Sequence, residues 1–392
     1  VSKHGTGVEN RQFVSRPLVA GALIVILIAA VITAWVGLGD RIEESATDSA
    51  DQCVEGNAAV PIVADPALAP GLQKIAQSYN ATSPIVRDHC IKVEVRPADA
   101  RATLEGLTAD RWDPAAFGPF PGAWIPESSV WAAALQTGKP AALQGPPESL
   151  VSSPVRLAVE KELAEAADGR IGWGDLPELT RASSLEAYGQ PTWGSLRMAM
   201  PNGPQSDATA LAAQGVAAAI ADEKGSLTEE QVGESSVTQA VEQLLSAPPK
   251  PGDGSISAAI KAIGEADDPS DAEVRAVPVT EQRLYTLTKD DESAPVTAVA
   301  PEGSTPVADY PVIKLAGAQV PAFLGDAISE FLTFARKPPQ MKVLTEMGFR
   351  GGGPLPQKTA TVAFGEVTDP LPAPEPAAAL RISEIVLPAA AP

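Results

Sequence analysis

The stretch Arg197–Ile220, RMAMPNGPQSDATALAAQGVAAAI, changes its hydrophobic period in the middle. Arg197–Met200 alternates as a strand does, and Pro201-Asn202-Gly203-Pro204 is turn chemistry. The remainder reads as a helix built almost entirely of small side chains. Ser206 and Asp207 stand where that helix begins. A hydroxyl at this position either caps the first free N–H groups or joins them in facing a ligand. The rest of the chain decides between these uses.

The same strand–turn–helix unit recurs. Ala59–Pro66 (AVPIVADP) reads as a strand, followed by a helix with Leu72, Ile75, Ala76 and Tyr79 on one face. Ile91–Pro97 (IKVEVRP) alternates strictly and precedes the helical ARATLEGLTAD. GAWIPESSVWAAALQ, SPVRLAVEKELAEAA and VRAVPVTEQRLYTL repeat the pattern. PVTAVAP and YPVIKLA read as late strands, and AFLGDAISEFLTFA and MKVLTEMGF as late helices. Such alternation predicts an α/β fold with parallel sheets covered by helices. Ligands then bind where strand carboxyl ends and helix N-termini converge. From Asp369 onward the chain is Pro/Ala-rich without a sustained apolar period, and residues 366–392 are expected to be a tail that is flexible or loosely docked.

The N-terminal segment sets the compartment. Lys3, Arg11 and Arg16 precede an uncharged run, Pro17–Gly39, of about 23 residues, enough to cross a ~30 Å hydrocarbon core. It is longer than a signal-peptide h-region and reads as one uncleaved transmembrane signal anchor (17–39). Residues 1–16 form a cytoplasmic tail and 40–56 a juxtamembrane linker. The acids that follow (Asp40, Glu43, Glu44, Asp48, Asp51) and the basic tail place the N-terminus inside and the main domain outside the cell membrane. The whole chain carries −20 and the tail +2, which leaves −22 beyond the membrane. A field of that sign disfavours nucleic acid as a partner. Cys53 and Cys90 both lie in this oxidising space, where one disulfide is the economical reading. It would close a loop of about 37 residues and contribute roughly 3–4 kcal/mol on the chain-entropy model. A metal pair with His89, the one external histidine, is the rival reading.

Taken in order, these segments resemble the type 2 periplasmic (extracellular) solute-binding proteins. The resemblance runs from about Ala58 to Gly353, through VPIVADPALAPGLQKIAQSYN, the cysteine before IKVEV, GAWIPESSVWAAAL, SSPVRLAVEKELA with WGDLPEL, LRMAMPNGPQSDATALAA, VPVTEQRLYTL, VAPEGSTPVADYPVIKL and FLTFARKPPQMKVLTEMGFR. They look most like the membrane-anchored bacterial group whose binding domain often precedes a von Willebrand A domain. The Asp-x-Ser-x-Ser metal site of that second domain does not occur here. The resemblance implies a two-lobed extracytoplasmic domain over residues 57–365, with a second lobe at roughly 155–280.

It also implies a ligand held between the lobes by hydroxyls and backbone N–H groups at helix starts, which need no basic side chain to hold an anion. The matching positions are Ser128, Ser129, Ser152, Ser153 and Ser206. A helix N-cap explains each serine alone; the convergence of three such turns supports the ligand reading. Trp124 and Tyr310 are available to stack on a sugar or organic ligand, although aromatics at strand ends ordinarily fill the core rim. Glu281 and Arg283 enter the cleft or flank an exposed helix start. Glu127 and Asp207 count against a phosphate-like anion. Glu160-Lys161 departs from the apolar or proline residues these receptors carry after the matching strand.

No Gly-x-Ser-x-Gly elbow, metal-ligand cluster or Walker motif occurs, so no catalytic residue, cofactor or metal is expected. The sequence thus reads as a membrane-tethered solute-binding-like protein that closes by a hinge on a small molecule or anion. The alternative is a non-catalytic structural or regulatory protein of the cell envelope with a degenerate cleft, meeting an envelope or membrane protein partner.

Overall fold

The computed structural model describes residues 53–387. The expected cytoplasmic tail, the 17–39 span and most of the juxtamembrane linker lie outside the described residues. Among the described residues no helix is long and apolar enough to cross a membrane.

Residues 53–58 and 87–90 form a small unit. Cys53 and Cys90 are joined there by a disulfide, with Cα atoms 5.4 Å apart. The Gly56 N–H donates to the Cys53 carbonyl (2.8 Å) and the Glu55 N–H to that of Asp88 (3.0 Å). Gly56 sits at φ +83°, a left-handed backbone that a residue without Cβ adopts freely.

Residues 59–86 and 91–387 form the main body. Its first sheet has the order β2-β3-β1-β4-β10-β5. The strands are β1 (Gly56–Ala64), β2 (Ile85–Val86), β3 (His89–Pro97), β4 (Ala123–Ile125), β5 (Glu148–Ser149) and β10 (Pro311–Lys314). β1 and β4 are parallel, pairing Val63 with Trp124; β10 runs antiparallel to β4 and β5. Val63, Trp124, Leu135, Ile313 and Leu315 form the core on one side. The first helices of this lobe include α1 (Ala69–Asn80), α2 (Ala100–Thr108) and α3 (Val130–Gly138). The expected helical face Leu72, Ile75, Ala76 and Tyr79 of α1 is buried.

The second sheet has the order β7-β6-β8, with β9 also on β6. These strands are β6 (Ser153–Glu160), β7 (Ala276–Thr280), β8 (Val296–Val299) and β9 (Val307–Ala308). Its pairings are antiparallel, which corrects the expectation of parallel sheets throughout. β7 follows β6 only after more than a hundred residues of helix and loop, so no short crossover dictates its direction. All of β6 is buried, and its Arg156 is paired there with Glu281 (3.6 Å). The strand expected at Arg197–Met200 is reduced to a single bridge, Met198 to Ala276.

Helices α4 (Lys161–Ala167), α5 (Asp207–Ile220), α6 (Ser235–Gln243), α7 (Ile256–Ile263) and α8 (Glu281–Thr288) accompany this sheet. α5 is the small-residue helix, and nearly all of it is buried. Its composition follows from close approach. A Cβ built on Gly215 would lie 2.8 Å from the Pro306 side chain and 3.0 Å from Trp173. Bulk at such positions would force the elements apart.

After α9 (Ala322–Ala335) and α10 (Pro338–Thr345), the chain ends its described part in α11 (Pro376–Val386). The Pro/Ala-rich segment is therefore not all loose tail. α11 buries Ala378, Ala379, Ile382 and Val386 and packs on α3 of the first lobe and on α5 and α6 of the second.

Candidate functional site

β1, β3 and β4 all deliver acidic or hydroxyl residues at their carboxyl ends. Asp65 follows β1, and its Oδ1 accepts the Ala67 N–H (2.8 Å). Asp99 follows β3 and caps α2 by accepting the Ala102 N–H (2.9 Å). Glu127, Ser128 and Ser129 follow β4 and lead into α3. The second lobe presents Asn202–Asp207, the turn that starts α5. Between them lies a cavity of about 110 Å³, whose walls include Asp65, Arg101, Glu127, Trp131, Gln205 and Asp207.

Asp207 joins the two lobes. Its Oδ2 accepts the Ser128 hydroxyl (2.9 Å) and the Trp131 indole N–H (2.6 Å). The carboxylate also lies in the first turn of α5, where free N–H groups favour negative charge. The donors that would hold an anionic ligand are thus engaged by a side chain of the protein itself.

Burial dominates the electrostatics. It pushes the Asp207 carboxyl up from 3.8 to about 6, against the opposing hydrogen bonds from Trp131 and Ser128. It pushes Asp65 up to about 7, with the charge of Asp207 adding to the shift and the Ala67 N–H opposing it. Glu127 stands well above the usual carboxylate range because of burial first, then the charges of Asp207 and Asp65. A hydrogen bond with Tyr310 and the charge of Arg283 oppose that rise. Burial, then Glu127, raises the Tyr310 phenol in turn. The cleft floor offers oxygen acceptors, and the Asp207 carboxylate, still mostly ionised at neutral pH, disfavours anions.

The predicted serines separate. Ser128 reaches the cleft floor through Asp207. The Ser129 N–H donates to Asp309 Oδ1 (2.8 Å), and the residue lines a different cavity. Ser153 is buried and its hydroxyl accepts the Gln282 N–H (2.9 Å), capping α8. Ser152 exchanges backbone hydrogen bonds with Arg350 at 2.8 Å. Ser206 directly precedes α5 but caps nothing. Its hydroxyl is buried, with no partner among the described residues.

Trp124 is core. Tyr310 is buried beside Glu127, edge-on to Phe349 at 5.1 Å. Glu281 pairs with Arg156 and with Arg350 (2.6 Å) instead of facing the cleft. Glu160 has a local task, accepting the Glu162 and Leu163 N–H groups at the start of α4 (3.1 and 2.9 Å). Sequence reasoning missed Asp65, Asp99, Arg101 and Trp131. The available signal for the first two was an acid just past each strand end.

Among the described residues no group of three or more His, Cys, Asp or Glu side chains is arranged to hold a metal ion.

A family model for bacterial extracellular solute-binding proteins matches residues 60–350. The chain belongs to that family. It is 35% identical over 359 residues to the uncharacterized proteins MT1884 and Rv1836c of two Mycobacterium tuberculosis strains. The match covers 91% of this chain and 52% of each relative, so the chain spans about half their length. Solved structures show the same two-lobed fold. Iron-bound HitA from Pseudomonas aeruginosa matches with a TM-score of 0.55 at 14% identity, covering 84% of this chain and 97% of its own. The ferric binding protein from Campylobacter jejuni gives 0.52 at 13%, covering 83% and 97%. AfuA from Actinobacillus pleuropneumoniae, with fructose-6-phosphate bound, gives 0.50 at 14%, covering 85% and 96%.

Proposed function

We propose that this protein is a membrane-tethered, extracytoplasmic solute-binding protein with no catalytic role, whose interlobe cleft takes a small organic ligand rich in hydrogen-bond donors, a polyol or an amine. The observation that carries this reading is the cleft floor of Asp65, Glu127 and Asp207, all buried. Donors on a ligand satisfy buried carboxyl oxygens, and a cationic group offsets their charge; sulfate does neither, and phosphate, although its P–OH groups can donate, brings negative charge. The tether rests on the hydrophobic run Pro17–Gly39 and its flanking charges. Ser128 and Ser206 are the hydroxyls closest in sequence to the acidic floor and belong to the ligand contacts in this reading; Ser129 and Ser153 serve backbone positions. Closure by ligand would proceed by stabilising the state in which the lobes meet.

Native mass spectrometry of the full chain, extracted from its own membranes in mild detergent, tests this. A retained small polyol or amine, lost in Asp65→Ala, is the expected result. Saturable binding of inorganic phosphate or sulfate instead would reject the reading.

One observation favours a second reading, an envelope protein with a closed cleft that meets a protein partner. Ser128 and Trp131 are already spent on Asp207. On that reading, no extract ligand is retained and Asp207→Ala creates no binding either.

A further inference from the structure

A second cavity lies between α3, α5 and the segment that leads into α11. Its volume is about 320 Å³, at the lower end of the roughly 300–1,000 Å³ typical of small-molecule sites. It shares no lining residue with the acidic cleft. Ala133 of α3, Leu211 of α5, the loop residues Pro306 and Pro374, and Ala379 of α11 give it largely apolar walls. Both lobes and the Pro-rich segment contribute to it.

Gln214 stands apart from the other polar residues of the lining, Ser129, Gln136 and Asp309. It is only 2% exposed, and its amide nitrogen has no hydrogen-bond partner among the described residues. A buried amide N–H left unpaired is destabilising, a cost that a bound acceptor would remove. No Lys, Arg or His lines the cavity, and its one acid, Asp309, already accepts the Ser129 N–H. An anion would find no countercharge there, and much of the wall is aliphatic.

We propose that this cavity is a second ligand site, separate from the acidic cleft, which takes an uncharged molecule with an apolar body and one carbonyl acceptor directed at Gln214. Proline rings and alanine methyls cover the body, and the amide supplies orientation. An occupant would touch α3 of one lobe and α5 of the other, so binding there would fix their relative position. The proposal does not depend on which ligand the cleft takes.

Benzophenone is a suitable probe because it is uncharged, carries a single carbonyl and inserts into nearby C–H bonds on irradiation. The full chain in detergent is irradiated over a range of probe concentrations, and adducts are mapped by peptide mass spectrometry. Saturable labelling confined to residues 129–136, 211–214 and 371–379 is expected. Gln214→Met keeps the length and removes the amide, and should raise the half-saturating concentration about threefold to tenfold. Ala379→Phe fills the cavity and should abolish labelling, with thermal melts confirming that each variant folds. Should Ala379→Phe fail to fold, the Gln214→Met shift decides alone. Absent or scattered labelling, or labelling unchanged in folded Gln214→Met, overturns the proposal.

Discussion

Trp131 and Asp207 belong to different lobes, and the indole N–H of the first donates to the carboxylate of the second at 2.6 Å. Ser128 adds a second donor from the same lobe at 2.9 Å. Two charge-assisted hydrogen bonds therefore cross the cleft and converge on one oxygen. Asp207→Ala should leave both donors without their acceptor, at about 1–3 kcal/mol for each that stays buried. The expected outcome is a lower urea midpoint and a changed near-UV circular dichroism signal from Trp131. If both match the wild type, the contact does not hold the lobes together.

The same cluster gives stability a pH dependence of known sign. Asp65 rises from 3.8 to about 7 and Asp207 from 3.8 to about 6 on folding, both chiefly by burial. Between about pH 4 and pH 7 the native state thus binds more protons than the unfolded chain, and stability falls as pH rises through that window. Above it, the loss is complete. The melting temperature should be higher at pH 5 than at pH 8. The net charge of −20 acts in the same direction, so the decisive comparison is Asp65→Asn, in which the difference should shrink. An equal pH slope in wild type and variant would remove Asp65 from the explanation.

Much of the first lobe was legible because its strands end in turn residues and its helices have regular apolar faces, as in α1 and α9. The second lobe was harder. Nothing local in SPVRLAVE indicates that its partners Ala276–Thr280 and Val296–Val299 arrive so late and antiparallel. α11 was illegible for a different reason. Its buried face includes Ala378 and Ala379, and alanine gives too weak a hydrophobic signal to stand out among prolines. At the site, turn serines were visible but their directions were not. Ser153 and Ser206 look alike in sequence, yet one hydroxyl caps a distant helix and the other has no partner among the described residues. Asp207 was read as an argument against anions, but its hydrogen bonds to Ser128 and Trp131 of the opposite lobe were not legible in the sequence.

The disulfide closes a sequence separation of 37 residues, for which the chain-entropy model gives roughly 3–4 kcal/mol. Urea unfolding with and without reductant should differ by about that amount, with the oxidised protein more stable. Cys53→Ser with Cys90→Ser should reproduce the reduced protein. Non-reducing peptide mapping should recover Cys53 linked to Cys90. Free thiols in freshly isolated protein would contradict the pairing.

Ser206 offers the sharpest test of the opening stretch. A serine before a helix ordinarily caps it, and its loss costs about 1 kcal/mol. Here the Ser206 hydroxyl makes no capping bond; the Thr209 N–H is instead taken by the Ser206 backbone carbonyl at 2.9 Å. Substitution by alanine leaves that carbonyl in place and removes a buried oxygen that has no partner among the described residues. Ser206→Ala should therefore leave stability unchanged or raise it by up to about 1 kcal/mol. A hydroxyl retained at such a cost is accounted for if a ligand supplies its partner. Affinity for a ligand recovered from the cleft should then fall by about 0.5–1.5 kcal/mol in Ser206→Ala, or about 1.5–3 if the ligand group is charged. Ser206→Gly, which also lacks the hydroxyl, should lose the same affinity. Stability and affinity measured on the same two variants separate the roles. Lower stability with intact binding makes Ser206 a cap after all, whereas intact stability with weaker binding makes it part of the site.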